Sequence, residues 1–353
     1  MNAQLRAIAT ALAAAALFGA ATPVAKLLLG SASPFMVAGL FYMGSGAGLG
    51  FGIALRAFRM RGETTSKDRM KAAEIPWLLG AIAAGGVAGP ALLMLGLSST
   101  PAATTSLLLN LEGVLTALIA WVVFRENVDA QIFLGMVSIV AGGVILSWQG
   151  PGEAGIPAGA ILIAAACFCW AIDNNLTRKV ATNDAMVIAC AKGLVAGPVN
   201  LAIAFAMGSS PPGLATIGEA MVTGLAGYGI SLVLFVVALR DLGTARTGAY
   251  FSVAPLFGVA VSFALWPQLP AVSFWIAASL MALGVWLHVR ERHEHEHPHE
   301  MLEHTHRHRH DEHHQHSHDF PYSDDAPHTH PHVHLPITHS HAHFPDIHHR
   351  HRH

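Results

Sequence analysis

Residues 101–128 read PAATTSLLLNLEGVLTALIAWVVFRENV: small and hydroxylated residues first, then an apolar run interrupted by a single carboxylate, Glu112, and closed by Arg125 and Glu126. A helix needs about 20 predominantly apolar residues to cross bilayer hydrocarbon, and the stretch 102–124 has that length. Comparable runs lie on both sides of it, separated by short loops rich in Gly, Pro and Ser. The pattern predicts ten membrane helices, at 5–29, 34–57, 75–97, 102–124, 130–148, 157–178, 184–207, 219–240, 243–265 and 272–289. Composition agrees, since 53% of the chain is hydrophobic and 12% charged although its end is almost wholly polar. A soluble core of that kind would be abnormal.

Charge gives the expected orientation. With the N-terminus inside, the cytoplasmic face receives Arg6, then Arg56, Arg59, Arg61, Lys67, Arg69 and Lys71, then Arg125, Arg178, Lys179, Arg240, Arg246, Arg290 and Arg292. The opposite loops, near 30–33, 98–101, 149–156, 208–218 and 266–271, contain no Lys or Arg, which is the positive-inside pattern. The expectation is a multi-pass inner-membrane protein with both termini cytoplasmic. The first run, preceded by Arg6, continues through Pro23 to Leu29 and is read as a retained anchor, not a cleaved leader. Cys167, Cys169 and Cys190 all fall within predicted helices, so no disulfide framework is indicated.

The chain repeats itself. LFGAATPVAKLLL, residues 17–29, opens the first half much as FCWAIDNNLTRKV, residues 168–180, opens the second, and Met43-Gly44 falls opposite Lys192-Gly193. A second offset lays Ala103, Thr105 and Gly113 over Ala245, Thr247 and Pro255. Five helices per half is an odd number, so the second half enters from the opposite side, which is the inverted repeat of secondary transporters. The expected fold is an all-α integral membrane bundle of ten transmembrane helices as two inverted five-helix repeats, residues 1–148 and 149–289, with a disordered tail from 290 to 353.

Residues 101–128 resemble the fourth-helix signature of the drug/metabolite transporter superfamily, EamA type. The shared features are small residues at the start, a Leu-Glu-Pro-like step and an apolar run ending in Glu. The resemblance covers about residues 5–289. Two departures stand out: Gly113 occupies the place where the family's first half often has proline, and Trp266-Pro267-Gln268 ends the ninth helix without the usual acidic residue. Within the superfamily the chain is most similar to nickel and cobalt resistance exporters with histidine-rich C-termini, a narrower likeness carried mainly by the tail.

Four formal charges fall inside predicted helices: Lys26, Glu112, Asp173 and Lys192. Each costs about 2.5–3.5 kcal/mol near a helix centre on insertion scales, against about 0.3–0.6 returned by a Leu, Ile or Val, so they should face the bundle interior. Thr105, Glu112 and Thr116 align on one helical face, as do Cys169, Asp173 and Thr177, then Lys192, Ala196 and Asn200, and finally Thr22 and Lys26. These stripes predict a polar pathway lined by Glu112, Asp173, Lys192, Lys26, Asn110 and Asn174. Glu112 and Asp173 are candidates to exchange a proton for a divalent cation, because burial without a counter-charge disfavours the bare anion. The alternative for each is a buried strut with a lysine, and Lys26 near its helix end suits snorkelling. In the second helix Gly44, Gly48 and Gly52, with Gly46 and Gly50 interleaved, predict close helix approach.

The tail carries the metal chemistry. Every one of the 24 histidines lies at or beyond His288. The candidate ligands are His293, His295, His297, His299, His304, His306, His308, His310, His313, His314, His316 and His318, then His328, His330, His332, His334, His339, His341, His343, His348, His349, His351 and His353. Imidazole with nearby carboxylates suits Ni²⁺, Co²⁺, Zn²⁺ and Cu²⁺, and affinity alone does not choose among them. Recurrent proline and sparse apolar residues predict a chain that is disordered without metal. Unperturbed imidazole titrates near pH 6.5, so acidification should release the ion.

These readings converge on a secondary exporter of divalent transition metal, nickel or cobalt preferred, driven by proton antiport. A ligand array on the cytoplasmic side suits removal more than uptake. The alternatives are an exporter of amino acids, other metabolites or drugs on the same fold, with Lys192 or Lys26 meeting a substrate carboxylate, and a membrane-anchored metal store or sensor. No fixed cofactor, enzymatic activity or nucleic-acid partner is expected, and no nucleotide-binding loop appears. Protons, metal ions and membrane lipid are the expected partners; the oligomeric state is left open.

Overall fold

A chain inside hydrocarbon must satisfy its backbone donors and acceptors within itself, and a helix does so segment by segment. The computed structural model describes residues 3–59, 72–124, 130–148, 156–180, 184–242, 247 and 250–289, with four short segments of the tail. Eight of its helices are long and apolar enough to cross a membrane: α1 (Leu5–Leu28), α2 (Pro34–Phe58), α3 (Ala72–Ser99), α4 (Ala102–Val123), α5 (Ala130–Ser147), α6 (Ala158–Thr177), α7 (Ala185–Ala206) and α8 (Leu214–Ala238). Two shorter apolar helices follow, α9 (Ala254–Leu265) and α10 (Val272–Leu287). The protein is thus a multi-pass membrane protein. The expected span at 243–265 appears as the shorter α9; residues 243–246, 248 and 249 lie outside the described residues. Large apolar side chains such as Phe51, Val122 and Trp148 are exposed on the unit's surface, where a bilayer would cover them.

The packing is ordered by helix number. α1 packs on α8 and α9, and its counterpart five helices later, α6, packs on α3 and α4. α2 meets α8 as α7 meets α3, while α2–α7, α4–α9 and α5–α10 join counterparts directly.

Glycine sets the spacing around α2. A Cβ on Gly44 would come 2.0 Å from the Met221 carbonyl oxygen of α8, and one on Gly224 would come 2.0 Å from the Phe41 oxygen. A Cβ on Gly46 would instead lie 2.6 Å from the Leu194 nitrogen of α7. The interleaved glycines therefore serve two neighbours, on two sides of one helix. Gly52, in the same stripe, has nothing within 4 Å of its would-be Cβ.

Three departures from regular winding shape the interior of the bundle. α3 widens to a π-helix at Ile82–Ala88 and α8 does so at Leu225–Ile230. Pro90 explains the first: it lacks an N–H and its ring crowds the carbonyl of the residue four before it, Gly86. α4 is broken into Ala102–Leu108 and Leu111–Phe124 by a turn at Leu109–Asn110.

The tail has regular backbone of its own. Its described residues form β1 (Glu294–Pro298), β2 (Leu302–His308), β3 (His328–His334) and β4 (Thr338–Ala342), paired antiparallel as β1 with β4 and β2 with β3. The physical reason is periodicity. Histidine alternates with Glu, Thr, Arg, Pro, Val or Ser at every second position, the repeat of a strand, and Thr and Val favour extended backbone, although Pro331 in β3 has no N–H to give to the ladder.

Candidate functional site

The turn that breaks α4 is held by its own side chain, since Asn110 Nδ2 donates to the Leu107 carbonyl at 2.8 Å. Asn110 is thus a local cap of the first α4 segment. The second segment starts at Leu111, which places Glu112 in its first turn. There the helix dipole favours negative charge, and the Glu112 N–H itself donates to the Leu109 carbonyl at 3.1 Å. A broken helix whose second half presents its N-terminus is a recurrent way of building an ion site at membrane depth.

Glu112 meets α6. Asn174 Nδ2 donates to Glu112 Oε1 at 2.9 Å and reaches Thr116 Oγ1 at 3.3 Å. Glu112 and Thr116 thus share one amide of α6, while Thr105 donates its hydroxyl to the Pro101 carbonyl at the start of α4. The group that meets the Glu112 carboxylate here is a neutral amide. Asn175, next in α6, turns its amide to the Ala171 carbonyl at 2.8 Å.

Asp173 sits one residue away and is satisfied differently. Lys192 Nζ of α7 lies 2.5 Å from Asp173 Oδ1. Thr177 Oγ1 donates to the same oxygen at 2.8 Å and accepts from Lys192 at 2.9 Å. The side chains of Lys192 and Asp173 are 16% and 11% exposed, so this is a buried pair. Its room comes from α3, where a Cβ on Gly85 would fall 2.0 Å from Asp173 Oδ2.

Gly85 and Gly86 lie in the π-helix of α3, and their freed carbonyls are taken up by three other helices. Tyr42 of α2 donates its hydroxyl to Gly85 O at 2.8 Å, and Trp170 of α6 donates Nε1 to the same oxygen at 3.0 Å. Asn200 of α7 donates Nδ2 to Gly86 O at 3.1 Å. Tyr42 also stacks on Tyr228, from the π-helix of α8, with ring centroids 5.5 Å apart and planes 22° apart. Sequence reasoning placed Asn200 on a polar stripe but passed over Tyr42, Trp170 and Tyr228, because an aromatic residue in an apolar helix reads as core. The available signal was their polar tips, which demand a partner when buried.

Lys26 is not brought to this cluster. Its ammonium donates to the carbonyls of Leu97 at 2.5 Å and Ser98 at 3.0 Å, at the C-terminal end of α3, where a cation complements the unpaired carbonyls. Two of the thiols donate to backbone carbonyls, Cys167 Sγ to Leu108 O at 3.8 Å and Cys190 Sγ to Gly46 O at 3.4 Å. Among the described residues no three or more His, Cys, Asp or Glu side chains gather as a metal site; the tail histidine side chains lie outside that set.

Comparison with known proteins agrees with this architecture. The profile of the EamA-like transporter family matches residues 5–148 and again 157–290. An uncharacterized transporter of Methanothermobacter thermautotrophicus is 28% identical over 283 residues, covering 76% of this chain and 82% of that protein. The uncharacterized transporter YyaM of Bacillus subtilis is 24% identical over 208 residues, covering 55% of this chain and 67% of its own. A solved crystal structure shares the fold with a TM-score of 0.58 at 18% identity, covering 80% of this chain and 96% of that one. Two matches of one transporter profile, on a bundle whose helices are long and apolar enough to span a bilayer, lead to one conclusion: the chain belongs to the EamA-like transporter family.

Proposed function

We propose that this transporter is a secondary exporter of the inner membrane that exchanges protons for a divalent transition metal, nickel or cobalt preferred, with both termini in the cytoplasm. The observation that carries the reading is the contrast between two acidic positions on facing helices. Asp173 is neutralised by Lys192, whereas Glu112 is held by the neutral Asn174 at a helix break. A carboxylate in that setting gains from taking up a proton or a cation, and both compete for the same oxygens. Glu112 is therefore assigned the exchange, and Asp173 with Lys192 the support of the wall beside it.

The counterpart packing of α1–α5 and α6–α10 supports ten spans in two inverted repeats, residues 1–148 and 149–289. So do the π-helices in both α3 and α8. The clustering of Lys and Arg in alternate loops supports a cytoplasmic tail, whose imidazoles would collect metal for export. A second reading, export of a small organic solute, is favoured by the lack of a three-ligand metal cluster among the described residues and by the aromatic groups Tyr42, Trp170 and Tyr228 beside the acidic pair.

The test is cell-associated Ni, Co and Zn in cells expressing the intact chain, a chain truncated after Arg292, or Glu112→Gln. The proposal expects the intact chain to lower accumulation of at least one metal and Glu112→Gln to abolish that effect. Unchanged accumulation with the intact chain rejects metal export in favour of an organic substrate. Loss by truncation alone, with Glu112→Gln active, favours a metal store.

A further inference from the structure

The tail contains more than a high density of ligands, because its backbone sets histidine opposite histidine. In the β2–β3 ladder the register places His304 against His332, His306 against His330 and His308 against His328. Residues two apart in a strand share a face, and directly opposed residues in an antiparallel pair share it too. All six therefore occupy one face as three cross-strand pairs. The β1–β4 ladder repeats the arrangement, with His295 against His341 and His297 against His339.

Distances favour pairing across the ladder over pairing along it. Metal–imidazole nitrogen bonds are about 2.0–2.1 Å, so two nitrogens on one ion lie no more than about 4 Å apart. Directly opposed residues have Cβ atoms about 4.5–5.5 Å apart, a gap that two imidazoles can close. Neighbours along one strand stand about 6.8 Å apart, two rises of 3.4 Å. Histidine keeps the two-residue period in each of the four strands, which sets the histidines of a strand on one face.

We propose that the tail binds divalent transition-metal ions at cross-strand histidine pairs of the β2–β3 ladder, each ion held jointly by one histidine from each strand. This rests on the tail being the metal-collecting arm, and it replaces a loose chelator by a row of two-histidine sites. It makes a distinctive statement about additivity. If each ion needs both strands, removing either strand's histidines removes the same ions that removing both would.

The test uses the purified full-length protein in detergent, with Ni²⁺ as the probe and bound metal counted after equilibrium dialysis. Three variants are compared with the intact chain: His304, His306 and His308 all →Ala; His328, His330 and His332 all →Ala; and all six →Ala. Gel filtration of each variant confirms that the membrane unit is intact. The expected result is the same loss of bound Ni²⁺ in all three. A six-fold variant that loses about twice as much as either triple overturns the proposal, because independent ligands would give that additivity. Loss in one triple but not the other overturns it as well, and so does no loss in any variant. Binding is read without transport, so failure of metal export in cells while the losses stay equal would remove the exporter reading and leave the paired sites standing.

Discussion

Glu112 and Asp173 show how two carboxylates in one bundle acquire different duties from what neutralises them. The Asp173–Lys192 pair is buried and shares Thr177, so removing one member leaves an uncompensated charge. Lys192→Met should cost about 3–5 kcal/mol of stability, and adding Asp173→Leu should recover most of it. Thermal unfolding of the purified single and double variants checks this; a double variant no more stable than the single one would deny that the pair is the support of that wall. The sequence made Glu112, Asp173, Asn174 and Lys192 legible because a charge or amide in an apolar helix is too costly to be idle. It left Lys26 ambiguous, since periodicity cannot distinguish a side chain aimed at the pathway from one that reaches the end of a neighbouring helix. It signalled Tyr42 and Trp170 only through their polar tips, because their shared partner is a backbone carbonyl, which has no sequence signature.

At the scale of elements, helix existence was readable from hydropathy and helix irregularity was not. The spans predicted at 75–97 and 219–240 contain π-helices, and the one at 102–124 contains a turn. Hydropathy does not encode such local causes: the π-helix of α3 follows from Pro90, and the turn in α4 is held by the Asn110 amide on the Leu107 carbonyl. Pro90→Ala restores the missing N–H and should let α3 wind regularly, withdrawing the Gly85 and Gly86 carbonyls from Tyr42, Trp170 and Asn200. Transport should fall at least tenfold while the amount of folded protein in the membrane stays near that of the intact chain; normal transport would separate the π-helix from function. Gly44 and Gly224 test a different feature, the close α2–α8 approach. Gly44→Ala or Gly224→Ala should each cost about 1–3 kcal/mol through overpacking, and Gly52→Ala, with open space at that position, should be near neutral. Equal melting temperatures for all three variants would contradict the packing described for α2.

For the molecule as a whole, one physical theme joins the membrane unit and the tail: histidine is confined to the end of the chain, so the proposed exchange within the membrane unit would draw on oxygen ligands. Similarity between the two halves is visible in the sequence only as faint matches such as Thr105 over Thr247, because membrane faces tolerate any apolar residue. Counterpart packing is less degenerate, since helix contacts depend on where small residues sit. In the tail, composition reports only proline and few apolar residues, whereas the described backbone follows the two-residue period of histidine. The central claim is that Glu112 is the exchange group. Purified protein in proteoliposomes, with a pH gradient imposed and an internal pH dye, reads proton movement on addition of Ni²⁺ or Co²⁺. Metal-dependent proton flux is expected from the intact protein and from the chain truncated after Arg292, with none from Glu112→Gln. Proton flux that is undiminished in Glu112→Gln would contradict the claim.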